Sequence, residues 1–165
     1  MVNEGDVWPA PALERNRQAA VDSIRHTTSE REGELQRIVE RAAAIAATPI
    51  ASVSLIDRER QWLAARLGID ARETPRSASI CSRVILRPGE PLVILDASRD
   101  ERYANIPSVA EDPFVRFYTG IPLVNRAGYA LGALCVVDTV PRDEPPDLMA
   151  LGRLAREAER IIAGH

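Results

Sequence analysis

The sequence predicts an α+β fold: an antiparallel sheet with helices from both ends of the chain packed over it. Apolar residues recur at three- and four-residue spacing near both termini, the period of an amphipathic helix. Between them, short runs alternate with period two, the signature of strands. Two pairs of these runs are joined by connections too short for anything but hairpins, and hairpins require antiparallel pairing. Helices flanking such a sheet must bury their apolar stripes against one of its faces.

Taken in order, residues 1–12 are polar, contain prolines and lack periodicity, so they are expected to form a loose tail before a single domain at 13–165. Leu13, Arg17, Ala20, Val21 and Ile24 mark a first helix, and His26-Thr27-Thr28 is expected to break it. Ser29 with Glu32 three residues on reads as a capping box opening a second helix. Its stripe is Leu35, Ile38, Val39, Ala42, Ala43 and Ala46, and Thr48-Pro49 closes it because the residue before proline disfavours helix. Ile50–Ile56 reads as a strand, Asp57–Arg60 as a turn, and Gln61–Leu67 as the hairpin partner stopped at Gly68. Segment 69–79 reads as loop, Ile80–Leu86 as one or two helical turns, and Leu92–Leu95 as a short buried strand. The long polar connection 97–113 is of a kind that is usually functional in compact domains. Phe114–Val124 and Tyr129–Val137 are strands around a turn containing Gly128. A last helix runs from Pro145 to about Ile162, with Leu148, Leu151, Leu154, Ala155, Ala158 and Ile161 on its apolar side.

Composition narrows the function. The 165 residues suit one domain, and 45% apolar with 27% charged is ordinary for a globular protein. The net charge of −3 offers no broad basic field, so neither nucleic acid nor an anionic membrane surface is an expected partner. No run approaches the length of a membrane span and the N-terminus is unlike a signal peptide, so a cytoplasmic location is expected. All 21 basic residues are arginine, which excludes Schiff-base or P-loop chemistry based on lysine. Two cysteines 54 positions apart, Cys81 and Cys135, and two histidines, His26 and His165, match no zinc motif or disulfide framework. There is no Ser-His-Asp set, no pair of carboxylates in an apolar setting and no glycine-rich phosphate loop. The chain is therefore expected not to be an enzyme, and no metal or named cofactor is expected.

Four segments carry a family resemblance: residues 50–81 (IASVSLIDRERQWLAARLGIDARETPRSASIC), 90–109 (EPLVILDASRDERYANIPSV), 115–124 (VRFYTGIPLV) and 128–142 (GYALGALCVVDTVPR). In this order and spacing the sequence resembles a GAF domain, of the bacterial subgroup found alone or in front of histidine kinases and diguanylate cyclases. The resemblance covers about residues 13–163. It implies a six-stranded antiparallel sheet, terminal helices on one face, and a pocket on the other face under the 69–87 and 96–114 segments. It also implies dimerisation through the terminal helices. One departure is visible: relatives commonly read Ser-Phe-Cys-x-His where this chain has Ser79-Ile80-Cys81-Ser82-Arg83. The signatures of cyclic-nucleotide, bilin and haem-binding GAF domains are missing too.

On that frame the candidate pocket residues are Cys81, Arg83, Asp96, Asp100, Asn105, Arg116 and Tyr118. Cys81 is either a reactive thiol activated by nearby arginines or a small buried apolar residue. Arg116 and Tyr118 share a strand face by period two. Arg116 would hold a ligand carboxylate or phosphate, or else a salt bridge to Asp96, Asp100 or Asp112. Asp96, Asp100 and Asn105 are pocket-rim hydrogen-bonders or turn and cap residues. Cys135 is expected to be core packing, as is Trp62 beside Gln61.

The function expected is a stand-alone sensory module. It would bind an unidentified small molecule or register a redox signal, and pass it through dimerising terminal helices to a signalling partner. A structural homodimer with a vestigial pocket is one alternative. A free methionine sulfoxide reductase, which the resemblance allows and the cysteine pattern does not match, is the other.

Overall fold

The computed structural model describes residues 8–164. Five helices and six strands follow in the order α1 (Pro11–Glu30), α2 (Glu32–Ala46), β1 (Ile50–Ile56), β2 (Arg60–Leu67), β3 (Glu73–Pro75), α3 (Cys81–Val84), β4 (Leu92–Ile94), α4 (Pro107–Ala110), β5 (Phe117–Val124), β6 (Ala130–Asp138) and α5 (Leu148–Ile162). The first seven residues of the expected tail lie outside the described residues. The first helix begins at Pro11 rather than Leu13, because proline's fixed φ suits a first turn.

The strands form one antiparallel sheet in the order β3-β2-β1-β6-β5-β4. Hairpin β1–β2 and hairpin β5–β6 meet at the central pair β1–β6, where Ser52 faces Cys135 and Ser54 faces Ala133. Gly132 makes that seam possible. A Cβ there would stand 1.8 Å from the Ser54 carbonyl oxygen, a backbone atom that cannot move aside.

Side-chain alternation divides the core in two. Ala51, Val53 and Leu55 of β1, Phe117, Ile121 and Leu123 of β5, and Leu134 and Val136 of β6 point toward α2 and α5. Their partners are the predicted stripe on α2, which is buried at all six expected positions, and Leu151, Leu154, Ala155, Ala158 and Ile162 of α5. Each leucine or isoleucine so buried contributes about 1.5–3 kcal/mol. On the opposite face Ile56, Tyr118, Ala133, Cys135 and Val137 pack beneath α3, α4 and the loops around them.

Four local expectations need correction. The break between the first two helices falls at Arg31, not at His26-Thr27-Thr28, and no capping box forms at Ser29. Thr28 is fully buried and its hydroxyl donates to the Ile24 carbonyl (2.8 Å), so the helix continues through it. Segment 69–79 is not all loop: Glu73-Thr74-Pro75 pairs with β2 as an edge strand and supplies the sixth strand. Proline is tolerated there because an edge position needs only one side of the ladder. The fifth strand starts at Phe117, three residues late, because Phe114 lies in a turn at φ +61° with its N–H bonded to Glu111. The last helix starts at Leu148 rather than Pro145, capped by the Asp147 carboxylate on the Ala150 N–H (3.0 Å).

Candidate functional site

Face-on, the sheet side opposite the terminal helices is not fully covered. Between the 69–81 segment and the 107–113 loop a cavity of about 380 Å³ opens onto β1, β2, β5 and β6. Its walls are largely apolar, from Ile50, Leu63, Ile69, Ile80 and Val137, with the prolines Pro75, Pro107 and Pro113 around them. Its floor is polar. Ser52, Tyr118, Cys81 and Cys135 line it, and all four are buried.

The floor is a connected cluster. The Cys81 thiol lies 2.9 Å from the Tyr118 hydroxyl and 3.9 Å from Ser54 Oγ. Ser54 Oγ is 3.1 Å from Ser52 Oγ, which in turn lies 3.0 Å from the Cys135 thiol. Two small serines on the central strand thus leave room for two thiols and link them. Gly120 is also required: a Cβ there would come within 2.6 Å of the Tyr118 hydroxyl and 2.7 Å of Val84 Cγ2. Without a side chain at 120, Tyr118 and α3 both lie down against the strand.

Within the cluster the two thiols and the phenol are shifted in different directions. Hydrogen bonding from Cys135 is the main influence on Cys81; together with Tyr118 and Ser54 it outweighs burial and holds that thiol below its ordinary range. The same bond, with burial, pushes Cys135 well up, and burial beside the two sulfurs raises Tyr118 well above the usual phenol.

One buried acceptor beside this cavity lacks a donor. Gln61 is buried and lines the wall. Its Nε2 donates to Thr74 Oγ1 (3.0 Å), while Oε1 has no hydrogen-bond partner among the described residues. Glu111 and Asp112 stand exposed on the rim, and no arginine lines the cavity.

Of the residues singled out in the sequence, Cys81 and Tyr118 sit on this floor. Cys135, expected to be plain core packing, joins them. Nothing local in the sequence signals that, because its neighbours Ser52 and Cys81 are 83 and 54 positions away. Arg83 turns to the other flank of α3. Its Nη1 donates to the carbonyls of Ser77 (3.1 Å) and Ser79 and to Ser82 Oγ. Arg116 donates to the carbonyls of Val109 and Val115, both at 3.0 Å, and makes no ion pair with Asp96, Asp100 or Asp112. Asp96 accepts from the Ser98 N–H and hydroxyl and so caps the turn 97–99. Asp100 holds Arg102 through two guanidinium nitrogens. Asn105 is exposed and lines no part of the cavity. Trp62 packs on the helix-side core with Arg25 over its ring at 5.2 Å. His26 is exposed on α1, and His165 lies outside the described residues. Among the described residues no group of three or more histidines, cysteines and carboxylates is placed to hold a metal, and no helix is long and apolar enough to cross a membrane.

A six-stranded antiparallel sheet with a helical layer behind it and short helices over part of the other face defines an α+β sandwich with one partly open sheet face. The chain belongs to the GAF domain family, whose model matches residues 30–162. It is 40% identical over 134 residues to cyclic di-GMP phosphodiesterase PA2567 of Pseudomonas aeruginosa, a match covering 81% of this chain. The chain spans only 23% of that relative's length. Among solved structures it is similar to the GAF domain of an Acinetobacter phosphoenolpyruvate-protein phosphotransferase (TM-score 0.65, 22% identity, 86% of this chain and 91% of that one). It is also similar to free methionine-R-sulfoxide reductase from Neisseria meningitidis (TM-score 0.64, 15% identity, 94% and 93%). At those identities the likeness is one of fold.

The expectation that the chain is not an enzyme is corrected by these findings. A 40% identical relative is named as an enzyme. A search for triads and carboxylate pairs within these residues says nothing about the rest of a longer catalytic chain that contains such a module.

Proposed function

We propose that this chain is the signal-receiving GAF module of a cyclic di-GMP signalling protein, binding a small molecule in the pocket over the β1–β6 seam. The observation that carries this reading is the pocket itself: a cavity of about 380 Å³ with apolar walls, a floor of thiols and hydroxyls, and an unmet Gln61 acceptor. A concave, largely apolar site with a few placed polar groups is the usual form of a small-molecule site. The lining favours a compact, mostly apolar ligand with a polar group for the floor of Ser52, Cys81, Tyr118 and Cys135, neutral or cationic toward the acidic rim. The kinship with part of a cyclic di-GMP phosphodiesterase supports the signalling context.

Transmission would run through a homodimer of terminal helices. Supporting this, Leu13 on α1, Ile45 on α2 and Met149 on α5 leave apolar side chains exposed on the helical layer. Native mass spectrometry of gently purified protein tests both parts. A dimer carrying a fixed extra mass that is lost in Gln61→Leu supports the reading. A monomer that retains nothing, and binds nothing from a library of small apolar amines and amides, refutes it.

The meeting of two thiols on the pocket floor favours a second reading, a redox input. A peroxide would convert the Cys81 thiolate to a sulfenic acid, releasing an alcohol or water, and Cys135 would displace water from it to give a disulfide. Mass spectrometry after peroxide treatment would then show the loss of two hydrogens, abolished in Cys135→Ser.

A further inference from the structure

On the other flank of α3 lies a second cleft, of about 550 Å³, bounded by residues 83, 84, 86 and 87, by residues 90–93 at the start of β4, and by Arg102 and Tyr103. It is unlike the pocket in charge. Arg83, Arg87 and Arg102 line it against a single acid, Glu90. Arg87 and Glu90 are both exposed and make a loose contact at 3.5 Å. Arg102 is neutralised by Asp100 and lies over the Tyr103 ring at 4.9 Å.

Arg83 is the informative residue. Two arginines of this chain are almost wholly buried, Arg17 and Arg76, and both share the Glu14 carboxylate. Arg83 is half-buried, and no carboxylate pairs with it among the described residues. Burial pushes its pKa down, and only Tyr103 acts against that. The backbone grips it by Nη1 alone. Nε is buried without an acceptor, and no hydrogen bond among the described residues engages Nη2. A guanidinium partly removed from water and fixed in orientation, with no counter-ion of its own, is arranged to receive an anion.

We propose that this cleft binds the phosphate group of a small organic phosphate, the phosphate lying on Arg83 and Arg87. The organic part of the ligand rests on Leu86, Leu92 and Val93, which give the cleft an apolar side. Guanidinium forks match phosphate oxygens in geometry as well as charge, which sets this ligand class apart from the one that fits the acid-rimmed pocket. The two sites share a wall: Arg83 grips the Ser79 carbonyl, and Ser79 lines the pocket.

The test is isothermal titration calorimetry of the whole chain with GMP, cyclic di-GMP, glycerol 3-phosphate and inorganic phosphate, at low and at high salt. At least one organic phosphate is expected to bind more tightly than inorganic phosphate and to weaken at high salt. Arg87→Glu, at an exposed position with only the loose Glu90 contact, should reduce that affinity about tenfold or more without lowering the melting temperature; Arg83→Gln should reduce it too, with some loss of stability from its hydrogen bonds to the 77–79 turn. Gln61→Leu, which alters the pocket alone, should leave it unchanged. The proposal is overturned by no heat with any probe, by inorganic phosphate binding as tightly as the organic ones, or by binding that survives Arg87→Glu. Loss of binding in Gln61→Leu would place the ligand in the pocket and overturn it equally; the pocket reading stands or falls on its own experiment.

Discussion

Glu14→Gln is expected to be among the most damaging single substitutions on α1. One carboxylate there serves two guanidiniums. Arg17 approaches it through Nε (2.8 Å) and Nη2 (2.9 Å), and Arg76 through Nη1 (2.6 Å) and Nη2 (3.3 Å). Arg17 is 2% exposed and Arg76 1%. Arg17 also holds the Ile56 carbonyl, and Arg76 the carbonyls of Asp57 and Arg58, with Trp8 stacked on it at 3.8 Å. Glutamine would keep the shape and remove the charge, leaving two buried cations unopposed. Breaking a buried pair in this way costs about 3–5 kcal/mol. Against a total stability of about 5–15 kcal/mol, that is a large share. Urea titration gives the magnitude directly, and the melting temperature should fall by about 10 °C.

The Arg41–Glu157 pair, also at 2.9 Å but between side chains 58% and 38% exposed, is the control. Glu157→Gln should cost less than about 1 kcal/mol. Burial pushes the Glu14 carboxyl up, but the hydrogen bonds and charges of Arg17 and Arg76 outweigh it and hold its pKa below the ordinary 4.5. A carboxyl whose folded pKa is depressed contributes its stability above the unfolded value and loses it as pH falls through the folded one. The gap between wild type and Glu14→Gln should therefore be full at neutral pH and narrow below about pH 4.5. A loss no larger than that of Glu157→Gln, or a gap that does not narrow in acid, would refute the reasoning.

Four further outcomes are expected. Gly120→Ala forces its Cβ against Tyr118 and Val84, and overpacking of that kind costs about 1–3 kcal/mol by urea titration. Gly132→Ala meets backbone instead of side chain and should yield little folded protein, seen as loss of soluble material. Tyr118→Phe removes the hydroxyl 2.9 Å from Cys81 Sγ, so the pH at which Cys81 becomes reactive to iodoacetamide should rise; an unchanged profile would show that this hydrogen bond does not stabilise the thiolate. Asp147→Ala removes the cap of α5 and should cost about 1 kcal/mol.

What could be read from sequence was what local periodicity encodes. The six-residue stripe on α2 and the strand Ile50–Ile56 were legible because burial repeats at a fixed interval within one element. The β3 strand was not, since three residues including a proline carry no period and pair only because β2 offers an open edge. The joint at Arg31 was misplaced because Thr28 looks polar in sequence yet satisfies its hydroxyl within its own helix. At the site, Cys81 and Tyr118 were reachable through family resemblance. The role of Cys135 depends on strand register across 83 positions, and that of Gln61 on an acceptor left unmet by its neighbours. The direction of Arg83 depends on which carbonyls of the 77–79 turn are free.

The β1–β6 seam has a mechanical consequence. The sheet is two hairpins joined edge to edge, each extended by one short strand, and the helices are divided between them. The α2 helix lies mainly over β1 and β2, α5 mainly over β5, and the two helices touch each other. Each helix thus rides on its own half of the sheet, like boards nailed to opposite leaves of a hinge. Ser52 on one leaf and Cys135 and Tyr118 on the other form the floor directly over the hinge line. On the proposed reading, a ligand on that floor would brace both leaves at once and tie the twist between the hairpins to the angle between α2 and α5.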